Sequence, residues 1–188
     1  MAELGMSDMQ LLDYSQDDCY LIKMTGEVRA NTCPQVDRLL ERICATPHLK
    51  NFIVDVTAAT LLDSTALGTL ARGAMVWRGI HSKPPTLIST HPDVTQLCLV
   101  MGLDQVFELV EAPVTRFLDP KGLRPVCVGG STVLDPHLIL EAHRTLISIC
   151  PKNAEIFRDL IKILESESSN SSSAPEILFS QKSPNKPH

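Results

Sequence analysis

Between Ile53 and Gly68 the chain reads Ile-Val-Asp-Val-Thr-Ala-Ala-Thr-Leu-Leu-Asp-Ser-Thr-Ala-Leu-Gly. A β-branched run gives way to small and hydroxyl-bearing residues, with Asp55 at its start and Asp63 directly before Ser64 and Thr65. Asp63 has the chemistry of a helix N-cap, whose carboxylate accepts from amides two or three residues on. Taken alone, Asp63-Ser64-Thr65 is a helix start and nothing more. Taken for its chemistry, it holds a hydroxyl at the positive end of a helix dipole. A serine nucleophile would need a nearby base and an oxyanion hole, and no Gly-x-Ser-x-Gly elbow is present.

Other chemistry is thinner. His48, His81, His91, His137 and His143 each stand apart from cysteines or paired carboxylates at ligand spacing. Glu141 and His143 share a helix but not a face. Cys19, Cys33, Cys44, Cys98, Cys127 and Cys150 form no CxxC and read as small buried hydrophobes in a reducing compartment. Gly129-Gly130 lacks the rest of a phosphate loop and reads as a linker turn. Trp77 and Arg78 are open to two readings, as part of a docking surface or as buried residues. The expectation is therefore no cofactor, no metal and no catalytic residue.

The elements that must position the Asp63–Thr65 turn are legible from periodicity. Met9–Tyr14 and Cys19–Met24, separated by Ser-Gln-Asp-Asp, predict a β-hairpin, with Gly26-Glu27 breaking its second strand. Thr32-Cys33-Pro34-Gln35 predicts a helix start of the capping-box type. Behind it Val36, Leu39, Leu40, Ile43 and Cys44 make one apolar stripe. Phe52–Val56 predicts a buried strand, Thr57–Leu62 a short link, and Asp63-Ser64 opens a helix to about Gly79. Thr86–Ser89 predicts a strand, Thr90–Asp93 the start of a shorter helix stopped at Gly102, and Asp104–Val110 an edge strand. Helices alternating with strands require parallel neighbours, so the fold class is α/β, a mixed sheet of about five strands.

After Ala112 the pattern changes. Residues 112–134 carry Pro113, Pro120, Pro125 and Gly129-Gly130 and read as a linker. Asp135-Pro136 starts a helix with Leu138, Ala142, Leu146 and Ile149 at helical spacing. Pro151 breaks it, and Asn153 can cap a second helix bearing Phe157, Leu160, Ile161 and Leu164. The result is an αα-hairpin over 135–165, which must cover its apolar face with the sheet, a second copy or a partner. Residues 166–188, rich in Ser, Asn and Pro, are expected to be disordered.

The chain has 188 residues, with 17 Lys and Arg against 22 Asp and Glu, a net charge of −5. That balance argues against direct nucleic-acid binding or a general grip on anionic membranes. Hydrophobic residues are 44% and aromatic residues 4%, so the core must be packed from aliphatic side chains. No apolar run approaches the ~20 residues of a membrane span. The acidic N-terminal residues lack the pattern of a signal peptide, so a cytoplasmic location without membrane insertion is expected.

Asp-Val-Thr followed by Leu-Leu-Asp-Ser-Thr-Ala-Leu-Gly resembles the signature of STAS domains, the fold of bacterial anti-sigma factor antagonists. Gly26-Glu27 and the segment His91-Pro92-Asp93-Val94 through Leu97 to Met101-Gly102-Leu103 agree with that family's order. The resemblance covers 9–111 and does not reach the hairpin. It implies a non-enzymatic, phosphorylation-switched module whose Ser64 is the residue phosphorylated by a partner serine kinase that is also an anti-sigma factor. Thr65 is a second, lower-ranked acceptor. The same resemblance puts Asp63, Ser64, Thr65, Ala66, Asp55, Glu27 and Arg29 at the partner-binding surface and implies a PP2C-type phosphatase that resets the switch. The chain departs from the family pattern in two places: Ala66 stands where a glycine is usual, and Val28-Arg29 where Leu-Asp often follows Gly-Glu. The alternatives are a STAS subunit of a membrane transport assembly, or a switch adaptor for another signalling enzyme such as a nucleotide cyclase. A homodimer paired through the hairpin is a further expectation.

Overall fold

The computed structural model describes residues 9–112, 122–126 and 134–171, with side chains described as far as 167. Two polar residues, Asp17 in the left-handed region and Asp18, turn the chain between β1 (Gln10–Gln16) and β2 (Cys19–Val28), which pair antiparallel. The predicted hairpin is present, but Gly26-Glu27 does not end its second strand. Gly26 takes a positive φ of 71°, and the pairing of β2 with β3 slips there and again after Lys23. A glycine at an irregularity of this kind lets the strand bend and continue.

That continuation changes the next element as well. β3 runs the full length Asn51–Leu62, so the expected link over Thr57–Leu62 is strand. Ala58 and Ala59 have little strand propensity. Parallel pairing with Thr25 and Gly26 nevertheless gives their backbone groups partners, and tertiary pairing overrides propensity. β4 (Thr86–Ile88) and β5 (Glu108–Val110) extend the parallel set, after a short 3-10 turn at Leu103–Gln105 where strand was expected. A sixth short strand, β6 (Arg124–Pro125), lies within the expected linker and pairs antiparallel with β1. The sheet order is β5-β4-β3-β2-β1-β6.

Period-two alternation divides the sheet into two unequal faces. Ile22, Met24, Val54, Val56 and Leu87 join the main core with residues of α1 (Cys33–Cys44), α2 (Ser64–Ile80), α3 (Pro92–Met101), α4 (Pro136–Ile149) and α5 (Asn153–Ser171). Leu21, Ile53 and Ile88 form a smaller cluster on the other face, joined by Tyr14, Cys19, Val110 and Leu123. The helix-bearing face therefore holds most of the core, and it also holds the N-terminus of α2.

Helix boundaries match the periodic stripes more closely than the caps do. Thr32 precedes α1, but its hydroxyl bonds back to Arg29, donating to the carbonyl (2.7 Å) and accepting from the amide (3.1 Å). It closes a turn, and the expected capping box is absent. Gly102 ends α3 with φ 85°, a left-handed C-cap. Asp135 caps α4 by accepting from His137 and Leu138. Asn153 does not cap α5. Its Nδ2 donates to Met101 O (3.1 Å) and Leu146 O (2.9 Å), while its buried Oδ1 has no partner. α5 continues through Ser171, past the expected start of the tail at Ser166, and 172–188 lie outside the described residues.

The hairpin packs back on its own domain. Leu138, Leu146 and Phe157 are buried in the main core, and Ile149 and Ile161 lean against it. Its apolar face lies on the helices and leaves Ile156 and Ile163 exposed. The residues named for pairing with a second copy thus pack on the chain's own helices and sheet.

Candidate functional site

The carboxyl ends of two neighbouring parallel strands, β2 and β3, deliver the site. From the end of β2 the chain turns through Arg29 and Ala30; from the end of β3 it reaches Asp63. The Asp63 amide donates to Val28 O (3.1 Å). Its carboxylate accepts from Ala66 N through Oδ1 and from Ala30 N through Oδ2, each at 2.8 Å. One side chain therefore caps α2 and fastens it to the β2–α1 loop. The N-cap reading of Asp63 holds, and the side chain is occupied by that work.

Ser64 is the first residue of α2 and is half-buried. A hydroxyl at a helix start commonly faces water. Instead Ser64 Oγ lies 2.9 Å from His143 Nε2, on α4. The other ring nitrogen, Nδ1, is 2.7 Å from Ile139 O, a carbonyl that can only accept. Nδ1 therefore carries the proton, and in the neutral ring Nε2 accepts from the Ser64 hydroxyl. His143 is 1% exposed, and its ring meets Phe157 edge-on at 4.6 Å between centroids. Sequence reasoning treated His143 as isolated because its partner is 79 residues away. Only the helical spacing of its neighbours Leu138, Ala142 and Leu146 placed it near an apolar face.

The remaining predicted site residues separate into three groups. Glu27, near the end of β2, and exposed Arg29 just past it pair at 2.7 Å, and the Glu27 carboxylate raises the Arg29 guanidinium above its ordinary pKa. Thr65 (4% exposed) and Ala66 (2% exposed) are interior, which removes Thr65 as an accessible acceptor in this arrangement. Asp55 is fully buried, pairs with Lys23 Nζ at 2.6 Å and accepts from Thr57 N at 2.8 Å. It alternates with Val54 and Val56 and shares its face with Ile53, so it points away from α2. Asp55 belongs to the sheet and not to the surface around Ser64.

Trp77 is buried, donating from Nε1 to Lys83 O (3.0 Å) and stacking on His81, whereas Arg78 reaches the Gln105 carbonyl. Clefts between α1 and α2, lined by Asp37, Glu41, Arg72 and Val76 among others, and beside Tyr20 and Arg42 include neither Ser64 nor His143. Among the described residues there is no cluster of three His, Cys, Asp or Glu that could hold a metal ion. Among the described residues no helix is long and apolar enough to cross a membrane.

The sequence model of the STAS domain family matches residues 11–115, more than half of the chain. Solved structures with a similar arrangement include an anti-sigma factor antagonist from Mycobacterium paratuberculosis. It is 19% identical, with a TM-score of 0.49, covering 56% of this chain and 87% of that one. The unphosphorylated anti-sigma factor antagonist SpoIIAA is 14% identical with a TM-score of 0.49, covering 58% and 91%. The Bacillus cell fate determinant SpoIIAA in its phosphorylated form gives 14%, 0.48, 58% and 95%.

Proposed function

Because the chain belongs to the STAS domain family, we propose that it is an anti-sigma factor antagonist switched by phosphorylation at Ser64. Unphosphorylated, it sequesters an anti-sigma factor that is also a serine kinase. Phosphorylation releases that partner, and a PP2C-type phosphatase resets the switch. The observation that carries this reading is the position of Ser64. It is the first residue of α2, directly after the Asp63 cap, at the ends of the strands that also present Glu27 and Arg29.

The electrostatics of that position support it. A phosphate at a helix N-terminus is favoured by the dipole and the amides of the first turn, so α2 can carry it without unfolding. The surface, by contrast, changes from a neutral hydroxyl to a dianion beside the Asp63 carboxylate. A docking loss of about 3 kcal/mol weakens binding more than a hundredfold.

A serine with a histidine nitrogen 2.9 Å away also has the outline of a nucleophile and base. His143, however, is 1% exposed and turns its other nitrogen to a backbone carbonyl, not to a carboxylate. That favours a binding module over a hydrolase.

The test is capture from native lysate with wild type, Ser64→Ala and Ser64→Asp as baits, read by mass spectrometry. An ATPase-type kinase or anti-sigma factor retained by the first two and lost from Ser64→Asp is the expected result. Equal retention by all three removes the switch. Retention of the same transporter components by all three turns the reading to a subunit of a membrane transport assembly, and a retained nucleotide cyclase turns it to an adaptor for that enzyme.

A further inference from the structure

The switch surface is covered by part of the same chain. α4 crosses the first turns of α2 so closely that a Cβ on Gly68 would stand 2.3 Å from the Ala142 carbonyl oxygen and 2.8 Å from the Ala142 Cα. Backbone meets backbone there, and only glycine permits it. The hairpin turn is seated equally tightly. A Cβ on Gly102 would lie 2.7 Å from Cys150 Cβ, and Asn153 ties the turn to the end of α3 through Met101 O. At the point of chemistry, His143 lies against the Ser64 hydroxyl.

We propose that the α4–α5 hairpin is a self-docked cover of the Ser64 surface, and that its docking and the modification of Ser64 exclude one another. The proposal rests on the reading of Ser64 as the switch residue and adds how access to it is controlled. With Oγ and Nε2 at 2.9 Å there is no room between them for a phosphoryl group. Ser64 is half-buried, and α4 covers its hydroxyl on the side where His143 accepts the hydrogen bond. Transfer of the phosphoryl group from ATP to Oγ breaks the bond to ADP, and the hydroxyl proton leaves to solvent or to a base on the kinase. Once formed, the phosphate is a dianion beside the Asp63 carboxylate and against the buried His143 ring, which itself packs on Phe157, an environment that offers it little solvation. The hairpin then lifts, since the α2 dipole favours the phosphate and the packed underside of α4 does not. A partner that docks on the Ser64 surface must displace the same two helices, so the closed form holds back the antagonist as well as its modification.

The experiment is amide hydrogen exchange on the full chain, with no partner present. Four forms are compared: wild type, Ser64→Ala, Gly68→Ala, and protein bearing genetically incorporated phosphoserine at position 64. Gly68→Ala favours helix in α2 while colliding with Ala142, so it lifts the cover without touching Ser64. Expected is exchange over 137–146 at least about tenfold faster in the phosphoserine and Gly68→Ala proteins than in wild type. Ser64→Ala, which loses only the hydrogen bond, should fall between them, and β2 and β3 should keep their protection.

Unchanged or slower exchange in α4 of the phosphoserine protein overturns the proposal, because the phosphate is then held under the hairpin, clamped by His143. Should Gly68→Ala fail to fold, as loss of protection in β2 and β3 would reveal, the phosphoserine form decides alone. Because no partner takes part, the result is separable from the lysate capture. A hairpin that stays closed while Ser64→Asp loses its partner overturns the cover and keeps the switch. A hairpin that opens while no anti-sigma factor is captured does the reverse.

Discussion

Asp63 and Asp55 are two carboxylates of one strand-to-helix segment, eight positions apart in sequence, with opposite fates. Asp63 accepts two backbone amides at the helix start, whereas Asp55 is sealed into the sheet with Lys23. Composition and motif could not separate them; the alternation of β3 does. The distinction has a measurable consequence. Asp55→Ala leaves the Lys23 ammonium beside an apolar cluster, and breaking such a pair typically costs about 3 kcal/mol. Urea denaturation should show that loss, and Lys23→Met combined with Asp55→Leu should recover most of it. A role for Asp55 in partner contact would leave stability unchanged, contrary to this expectation. His143 is the counterpart on the other side. The apolar stripe beside it was legible, but its burial and its bond to Ser64 required two segments 79 residues apart to meet.

Among the elements, helices were read more faithfully than strand ends. The stripes of α1 and α4 repeat over several turns, and each repeat buries the same face, so position and face are over-determined. Strand limits depend on pairing. β3 runs on to Leu62 because β2 continues beside it past Gly26, and β6 exists because two residues of an apparent linker find β1. Two of the expected caps failed for a related reason. Thr32 and Asn153 are suitable residue types that found better partners in tertiary space. The hairpin helices are part of the core and not an appendage, as a cavity in α4 would demonstrate. Leu146 is fully buried in the cluster shared with the sheet. Leu146→Ala should lower the unfolding free energy by about 2 to 5 kcal/mol in a single cooperative transition. Loss confined to α4 and α5, with the sheet transition unmoved, would mean that the hairpin is a separate unit.

Over the whole molecule, burial sets the behaviour of the thiols. Cys19, Cys33, Cys44, Cys98 and Cys150 are free, and Cys127 lies outside the described residues. Burial pushes Cys33 and Cys98 from the ordinary thiol value of 9.0 up to about 12. Both are completely inaccessible, so iodoacetamide at pH 8 should label them only as fast as the protein unfolds, ahead of which Cys19 and Cys150 react. The same shifts fix a sign. A raised folded-state value means that the unfolded chain loses thiol protons first, so stability is intact below pH 9 and falls as pH rises toward 12. Replacing Cys33 and Cys98 by alanine should flatten that alkaline decline. A slope identical to wild type would mean that the two thiols ionise alike in both states.

The sequence by itself determined the α/β class, the order of the helices and of the first five strands, the Asp63 cap and the family, because each rests on a local pattern of period or motif. It also determined that an amphipathic hairpin follows, since Leu138, Leu146 and Phe157 need cover wherever they go. Where that cover lies was decided only by the tertiary structure. Nothing local to Gly68 or to Ala142 states that their backbones will touch, and nothing local to Ser64 states that a histidine will close over it. Contacts of that kind arise from the shapes of two packed helices. Those shapes are a property of the assembled core, and they bring a histidine of α4 against a hydroxyl that local sequence showed only as the start of α2.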